Sequence, residues 1–152
     1  MAEYVYNAEQ TVEPGQNVLL NDSIPCNRGL VIHRNGSGIL TLRGPGSGSC
    51  NRFARYQVTF VANIAVPTAA TTAEAISVAL AINGEAIQTS KAISTPSDVN
   101  TYNNVTSTAI ITVPKGCCFT VAVENTSAPA AVGGVSPEIN VQNANLTVSR
   151  IA

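Results

Sequence analysis

Between Phe53 and Val66 the chain reads Phe-Ala-Arg-Tyr-Gln-Val-Thr-Phe-Val-Ala-Asn-Ile-Ala-Val, and no other stretch constrains the fold as much. Tyr56, Val58, Phe60, Ala62, Ile64 and Val66 recur at period two. Arg55, Gln57, Thr59 and Asn63 take the alternate positions, with Val61 as the exception. Successive side chains of a strand point to opposite faces, so the pattern predicts a long, half-buried β-strand. It is the expected central strand of an antiparallel, two-layer β protein.

The rest of the chain repeats that period in shorter pieces. Tyr4 to Val12 predicts a first strand, serving as an N-terminal arm or edge strand over residues 1–12, and Glu13-Pro14-Gly15-Gln16 a turn. Asn17 to Leu20 predicts a second, short strand. Gly29 to Arg34 and Ile39 to Arg43 are joined by Asn35-Gly36-Ser37-Gly38, and Asn-Gly between apolar runs is a strong hairpin signal. Gly44 to Ser49 reads as a loop into the central strand. Ala75 to Ile82 alternates cleanly and turns at Asn83-Gly84 into a return arm from Glu85 to Ile93. Val105 to Val113, Cys117 to Glu124 and Glu138 to Ile151 complete about ten strands, the density of turn signals expected of a sandwich or barrel. The reading is a single all-β domain over residues 1–152, an antiparallel β-sandwich.

Composition narrows what such a sandwich can do. Charged residues make up 11% of the chain, against roughly 25% in an average soluble domain. A surface so poor in charge is suited to burial against other subunits. Net charge is −1, which gives no electrostatic basis for nucleic-acid binding. Arg28, Arg34, Arg43, Arg52 and Arg55 concentrate in the first third, either as an anion-binding or acidic-partner patch or simply as solvated and interfacial arginines. No basic n-region with an apolar h-region leads the chain, so no secretory signal is expected. No apolar run approaches the roughly 18 residues of a membrane span.

The strand Arg55-Tyr-Gln-Val-Thr-Phe-Val-Ala-Asn and the hairpin Ser77-Val-Ala-Leu-Ala-Ile-Asn-Gly-Glu carry a resemblance, as do Thr108-Ala-Ile-Ile-Thr-Val-Pro-Lys-Gly and the closing Ala144-Asn-Leu-Thr-Val-Ser-Arg-Ile. Together they resemble the bacterial and phage branch of the trimeric jelly-roll heads related to tumour necrosis factor and the complement globular head. The resemblance implies jelly-roll topology and a homotrimer. It also implies an assembly or adhesion role, as a virion decoration or head-fibre protein or as a spore or cell-surface head, with capsid or other surface-assembly proteins as partners. The chain departs from spore-filament proteins in lacking a collagen-like Gly-X-Y stalk, which favours the virion surface. In this family the final strand lies near the trimer axis, which makes Leu146 and Val148 interface candidates. The face Arg55, Gln57, Thr59, Val61 and Asn63 of the central strand joins them, because it is too mixed for an ordinary solvent face.

Reactive chemistry is sparse. Cys26 and Cys50 flank the first hairpin, and residues flanking a hairpin return together. A Cys26–Cys50 disulfide would contribute on the order of 3 kcal/mol in the chain-entropy model, with two reduced thiols as the alternative. Cys117 and Cys118 are adjacent, leaving pairing with the first two, bridging between protomers, or free thiols open. Their spacing lacks the gap of common zinc knuckles, so no metal is expected. His33 is the sole histidine, and no Gly-x-Ser-x-Gly elbow accompanies it. It is expected at the surface or an interface, where protonation below about pH 6.5 would make axial histidines repel. The carboxylates are few and dispersed, and the Gly-rich stretches lack the Gly-Lys-Ser/Thr ending of a phosphate loop. The chain therefore reads as non-enzymatic and free of cofactors. A carbohydrate-binding module on the same scaffold is the other function class. It would need exposed aromatics, and with no Trp in the chain Tyr102, in a polar loop, is the candidate that would contact a glycan.

Overall fold

A computed structural model describes residues 1–24 and 29–152. Its strands are β1 (Ala2–Tyr6), β2 (Gln10–Val12), β3 (Asp22–Ile24), β4 (Val31–His33), β5 (Ile39–Arg43), β6 (Phe53–Ala65), β7 (Ile76–Ile82), β8 (Glu85–Ala86), β9 (Ala92–Ser94), β10 (Asn103–Pro114), β11 (Cys118–Asn125) and β12 (Ile139–Arg150). One 3-10 turn, Gln88–Ser90, stands between β8 and β9. The strands form two antiparallel sheets. The front sheet has the order β10-β6-β12-β1-β3, with β2 also on β12, and the back sheet β4-β5-β11-β7-β8, with β9 also on β7. This is the antiparallel sandwich of jelly-roll form that the strand pattern and the resemblance predict.

The long strand is central, as its alternation requires. Ala54, Tyr56, Val58, Phe60, Ala62 and Ile64 are buried between the sheets, while Arg55 and Gln57 are exposed on the other face. β10 and β12 flank β6 along nearly its whole length, Ala109 opposite Val58 on one side and Val148 opposite Val58 on the other. Leu40, Leu42, Ile76, Val78, Leu80, Val121 and Val123 close the core from the back sheet. Tyr56 spans the two layers. Its ring is fully buried and its hydroxyl donates to the Arg43 carbonyl at 2.5 Å, which satisfies the one polar atom the ring carries into the core.

Three predicted segments fold differently. The first strand is two, because β12 carries a register shift between Gln142 and Asn145, with Asn143 at φ 53°. β1 pairs with β12 on one side of that bulge and β2 on the other. Asn17 to Leu20 makes only isolated bridges, yet Val18 and Leu20 are fully buried. The Gln10 side chain holds the backbone of Leu19 at both its N–H and its carbonyl, in place of a strand partner. The return arm after Asn83-Gly84 is interrupted by the 3-10 turn. There the Leu80 N–H donates to Ser90 Oγ at 3.0 Å, and the Leu80 carbonyl accepts from Ile87 N–H at 2.7 Å. A hydroxyl thus replaces one rung of the ladder, so the strand edge stays satisfied where the partner strand breaks.

Candidate functional site

The strand order creates one broad surface. On the outer face of the front sheet, Thr108, Thr59 and Thr147 stand side by side across β10, β6 and β12, with Glu3 of β1 next in the row. The adjoining rows are Ile110, Gln57 and Ser149, and Thr106, Val61 and Asn145. Local hydrogen bonds hold these side chains down. Thr59 and Thr108 share a hydroxyl contact at 3.1 Å, Thr108 Oγ1 donates to the Val58 carbonyl, and Asn104 Nδ2 donates to Asn63 Oδ1 at 3.2 Å. Asn145 Nδ2 donates to the Glu3 carboxylate at 2.5 Å. Of the paired outward residues on β10, β6 and β12 from Arg55 to Asn63, Arg55 alone is charged, and its guanidinium lies 5.0 Å from the centre of the Phe53 ring. Ile110, 66% exposed, stands free in the middle of β10. Apart from Arg55 and Glu3 the face is uncharged and rich in methyl groups, with no layer of the described residues packed over it.

Arg55, Gln57, Thr59, Val61 and Asn63 all belong to this face. Leu146 and Val148 do not, which corrects their assignment as interface residues. They are 0% and 1% exposed, opposite Phe60 and Val58, and belong to the core. Their outward neighbours Asn145, Thr147 and Ser149 take their place. Thr106, Thr108, Ile110 and Thr112 complete the face and were missed. Their alternation with Val105, Ile111 and Val113 marks an outward side, but only the pairing of β10 with β6 makes it the same side.

The other candidate residues are scattered. Tyr102 is half-buried, and its hydroxyl donates to the carboxylate of Glu9, which also accepts from Asn140 Nδ2 at 3.5 Å. Burial, then the hydrogen bond to Glu9 and its charge, push Tyr102 up to about 12. The phenol pins the segment between β1 and β2 to the sheet, so its hydroxyl already has a partner within the chain. An open groove of about 410 Å³ lies between residues 66–74 and 135–138, with Glu74 and Glu138 among apolar walls. Tyr102 does not line it.

His33 is half-buried on the edge strand of the back sheet, away from the front face, which corrects the expectation of axial histidines that repel on protonation. Its ring tilts against Tyr4 with centroids 4.7 Å apart, because β4 turns this residue inward opposite Leu40. Its Nε2 lies 2.8 Å from the Ser37 carbonyl, an acceptor, so Nε2 carries the proton. Nδ1 is buried without a hydrogen-bond partner among the described residues. Cys50, Cys117 and Cys118 are free and exposed. Cys26, the other half of the expected hairpin-flanking bridge, lies outside the described residues, as does Arg28. Among the described residues no three His, Cys, Asp or Glu side chains gather as a metal site.

No family profile and no curated protein matches the chain. Solved structures do. The globular domain of zebrafish complement 1qA protein superposes with a TM-score of 0.63 at 15% identity, covering 99% of this chain and 96% of that one. Eiger TNF from S. frugiperda gives 0.60 at 11% identity, covering 100% and 92%. Murine APRIL gives 0.50 at 10% identity, covering 91% and 96%. The chain therefore has the fold of the complement and tumour-necrosis-factor heads over its whole length.

Proposed function

We propose that the chain is a non-enzymatic structural head that assembles as a homotrimer through the outer face of its front sheet, and that it decorates a virion as a capsid-surface or head-fibre protein. One observation carries the trimer. Three long, adjacent strands expose threonine, asparagine, glutamine and serine with Val61 and Ile110, where a solvated antiparallel face would ordinarily carry lysine and glutamate. Such a surface loses little by desolvation and gains methyl contact when a second copy covers it. The resemblance to trimeric jelly-roll heads supports the use of this same sheet. The loops at the two ends of the sandwich are then left for attachment to a host, a capsid or another surface.

Light scattering on the eluting protein tests the assembly. A mass about three times the 15.7 kDa of the chain is expected. Val61→Lys places an unpaired ammonium from each copy in the contact and should weaken association at least about tenfold. A monomer at micromolar concentration, or a trimer indifferent to Val61→Lys and Ile110→Lys, refutes the assignment of this face. Antibody labelling of purified particles against spores and cells separates the virion reading from a spore or cell-surface role.

A further inference from the structure

The charges of this nearly neutral chain are sorted by the fold. Arg43 ends β5, Arg52 leads into β6, Lys115 sits in the turn between β10 and β11, and Arg150 ends β12. The strand registers bring all four to one end of the sandwich, and all four are exposed. Arg55 stands at the border between this end and the front face. Glu85, at the β7–β8 turn on the far edge of the back sheet, and Glu3, on β1 beside Thr147 of β12, are the acidic side chains nearest in register. Glu9, Glu13, Glu74, Asp98, Glu124 and Glu138 lie towards the opposite end, in the loops and strand termini there. Arg34 also falls at that end, which separates it from Arg43, Arg52 and Arg55. β6 is 13 residues long, so the ends are roughly 40 Å apart. That is several Debye lengths at physiological salt, where the screening length is about 8 Å, so a ligand at the basic end does not feel the acidic one.

The basic end is also built as a surface. Lys115 Nζ donates to the Ser49 carbonyl at 2.6 Å and its backbone N–H to the Arg52 carbonyl at 2.8 Å, while Gly116 N–H donates to the Pro45 carbonyl at 3.0 Å. These bonds clamp the Gly44–Arg52 loop around the turn and set Arg52 beside Lys115. Gly46 and Gly48 have open space where a side chain would stand, so the loop backbone is accessible, and Ser47 is exposed between them.

We propose that this end binds an anionic polysaccharide, a chain of repeated sulfate or carboxylate groups, through Arg43, Arg52, Lys115 and Arg150. Guanidinium groups take such oxyanions in bidentate fashion, and the Gly/Ser loop supplies N–H and hydroxyl groups to sugar oxygens. Single-stranded nucleic acid fits less well because it needs aromatic platforms. Phe53 is the one phenylalanine at this end that is exposed, and one face of its ring is taken by the Arg55 guanidinium, while Phe119 packs against the core.

The test is binding to immobilised dextran sulfate and to polygalacturonate, with single-stranded DNA as a third arm. Binding to at least one polysaccharide at about 50 mM salt, lost by about 500 mM, is expected. Arg43→Gln with Arg52→Gln should weaken it about tenfold, whereas Arg34→Gln with Lys91→Gln removes the same charge elsewhere and should leave it within about twofold. Cys118 is paired with Arg43 in register, and Cys50 lies beside Arg52 in the clamped loop. Bound polysaccharide should therefore slow alkylation of both exposed thiols. No binding at low salt, equal loss in the two double variants, absent thiol protection, or a preference for DNA each overturns the proposal. The face is separate from the proposed trimer contact, and light scattering on the same samples reports the assembly independently.

Discussion

Asn125, 1% exposed at the end of β11, holds together three segments that are remote in sequence. Its Nδ2 donates to the Val12 carbonyl at 2.9 Å and to the Pro137 carbonyl at 3.1 Å, and its Oδ1 accepts from Ser127 N–H at 3.0 Å. Two carbonyl acceptors and one N–H donor use the amide in one orientation only. The isosteric change Asn125→Asp keeps the shape and removes the donors. An ionised carboxylate there would face two carbonyl oxygens in a buried site. The group stays protonated instead, and holding a proton at pH 7 against a reference near 3.9 costs about 4 kcal/mol. A carboxylic acid restores at most one donor, so one carbonyl remains unsatisfied at about 1–3 kcal/mol. The expected destabilisation at pH 7 is therefore about 5–7 kcal/mol, comparable to the whole stability of many domains.

The sign with pH follows from linkage. The folded-state pKa of the new carboxyl is raised, so the folded variant binds the proton more tightly than the unfolded chain does. Its deficit relative to the native protein must shrink as pH falls, and at pH 4 only the lost donor, about 1–3 kcal/mol, should remain. Urea denaturation of both proteins at pH 7 and pH 4, at matched protein concentration, measures the two deficits. A deficit below about 1 kcal/mol at pH 7, or one that does not narrow at pH 4, refutes the account of Asn125 as a buried amide clamp.

Two further substitutions probe the loops. A Cβ at Gly44 would lie 1.9 Å from the Pro114 carbonyl oxygen, so Gly44→Ala must push the clamped basic-end loop off the β10–β11 turn. A loss of about 1–3 kcal/mol in thermal or urea unfolding is expected, with faster alkylation of Cys117. At the other end, absorbance titration should show a tyrosine ionising at about 12 that Tyr102→Phe abolishes. Its raised pKa contributes stability that is fully present below about pH 10 and lost as pH rises through 12.

The architecture was legible wherever one face of a strand is buried, because burial imposes period two on the sequence. The alternations in 53–66, 105–113 and 138–151 became β6, β10 and β12, and Asn35-Gly36 and Asn83-Gly84 became turns with both glycines at positive φ. Segments whose partner is a side chain were not legible. Val18 and Leu20 are buried in a stretch held by Gln10, and the arm after Asn83-Gly84 breaks where Ser90 replaces a backbone rung. Neither device has a local periodic signature.

The same division runs through the candidate surfaces. The odd residues of β6 were recognisable as a face because alternation alone separates the two sides of one strand. Which residues lie beside them was decided by strand order, and that order excluded Leu146 and Val148 and brought in Thr108 and Thr147. Likewise the low charge content is a property of composition, whereas the separation of Arg43, Arg52, Lys115 and Arg150 from most of the carboxylates exists only after folding. Period two records the inside and outside of each strand in a few consecutive residues. Juxtaposition between strands is set by long-range pairing, in which residues as far apart as Glu3 and Thr147 become neighbours.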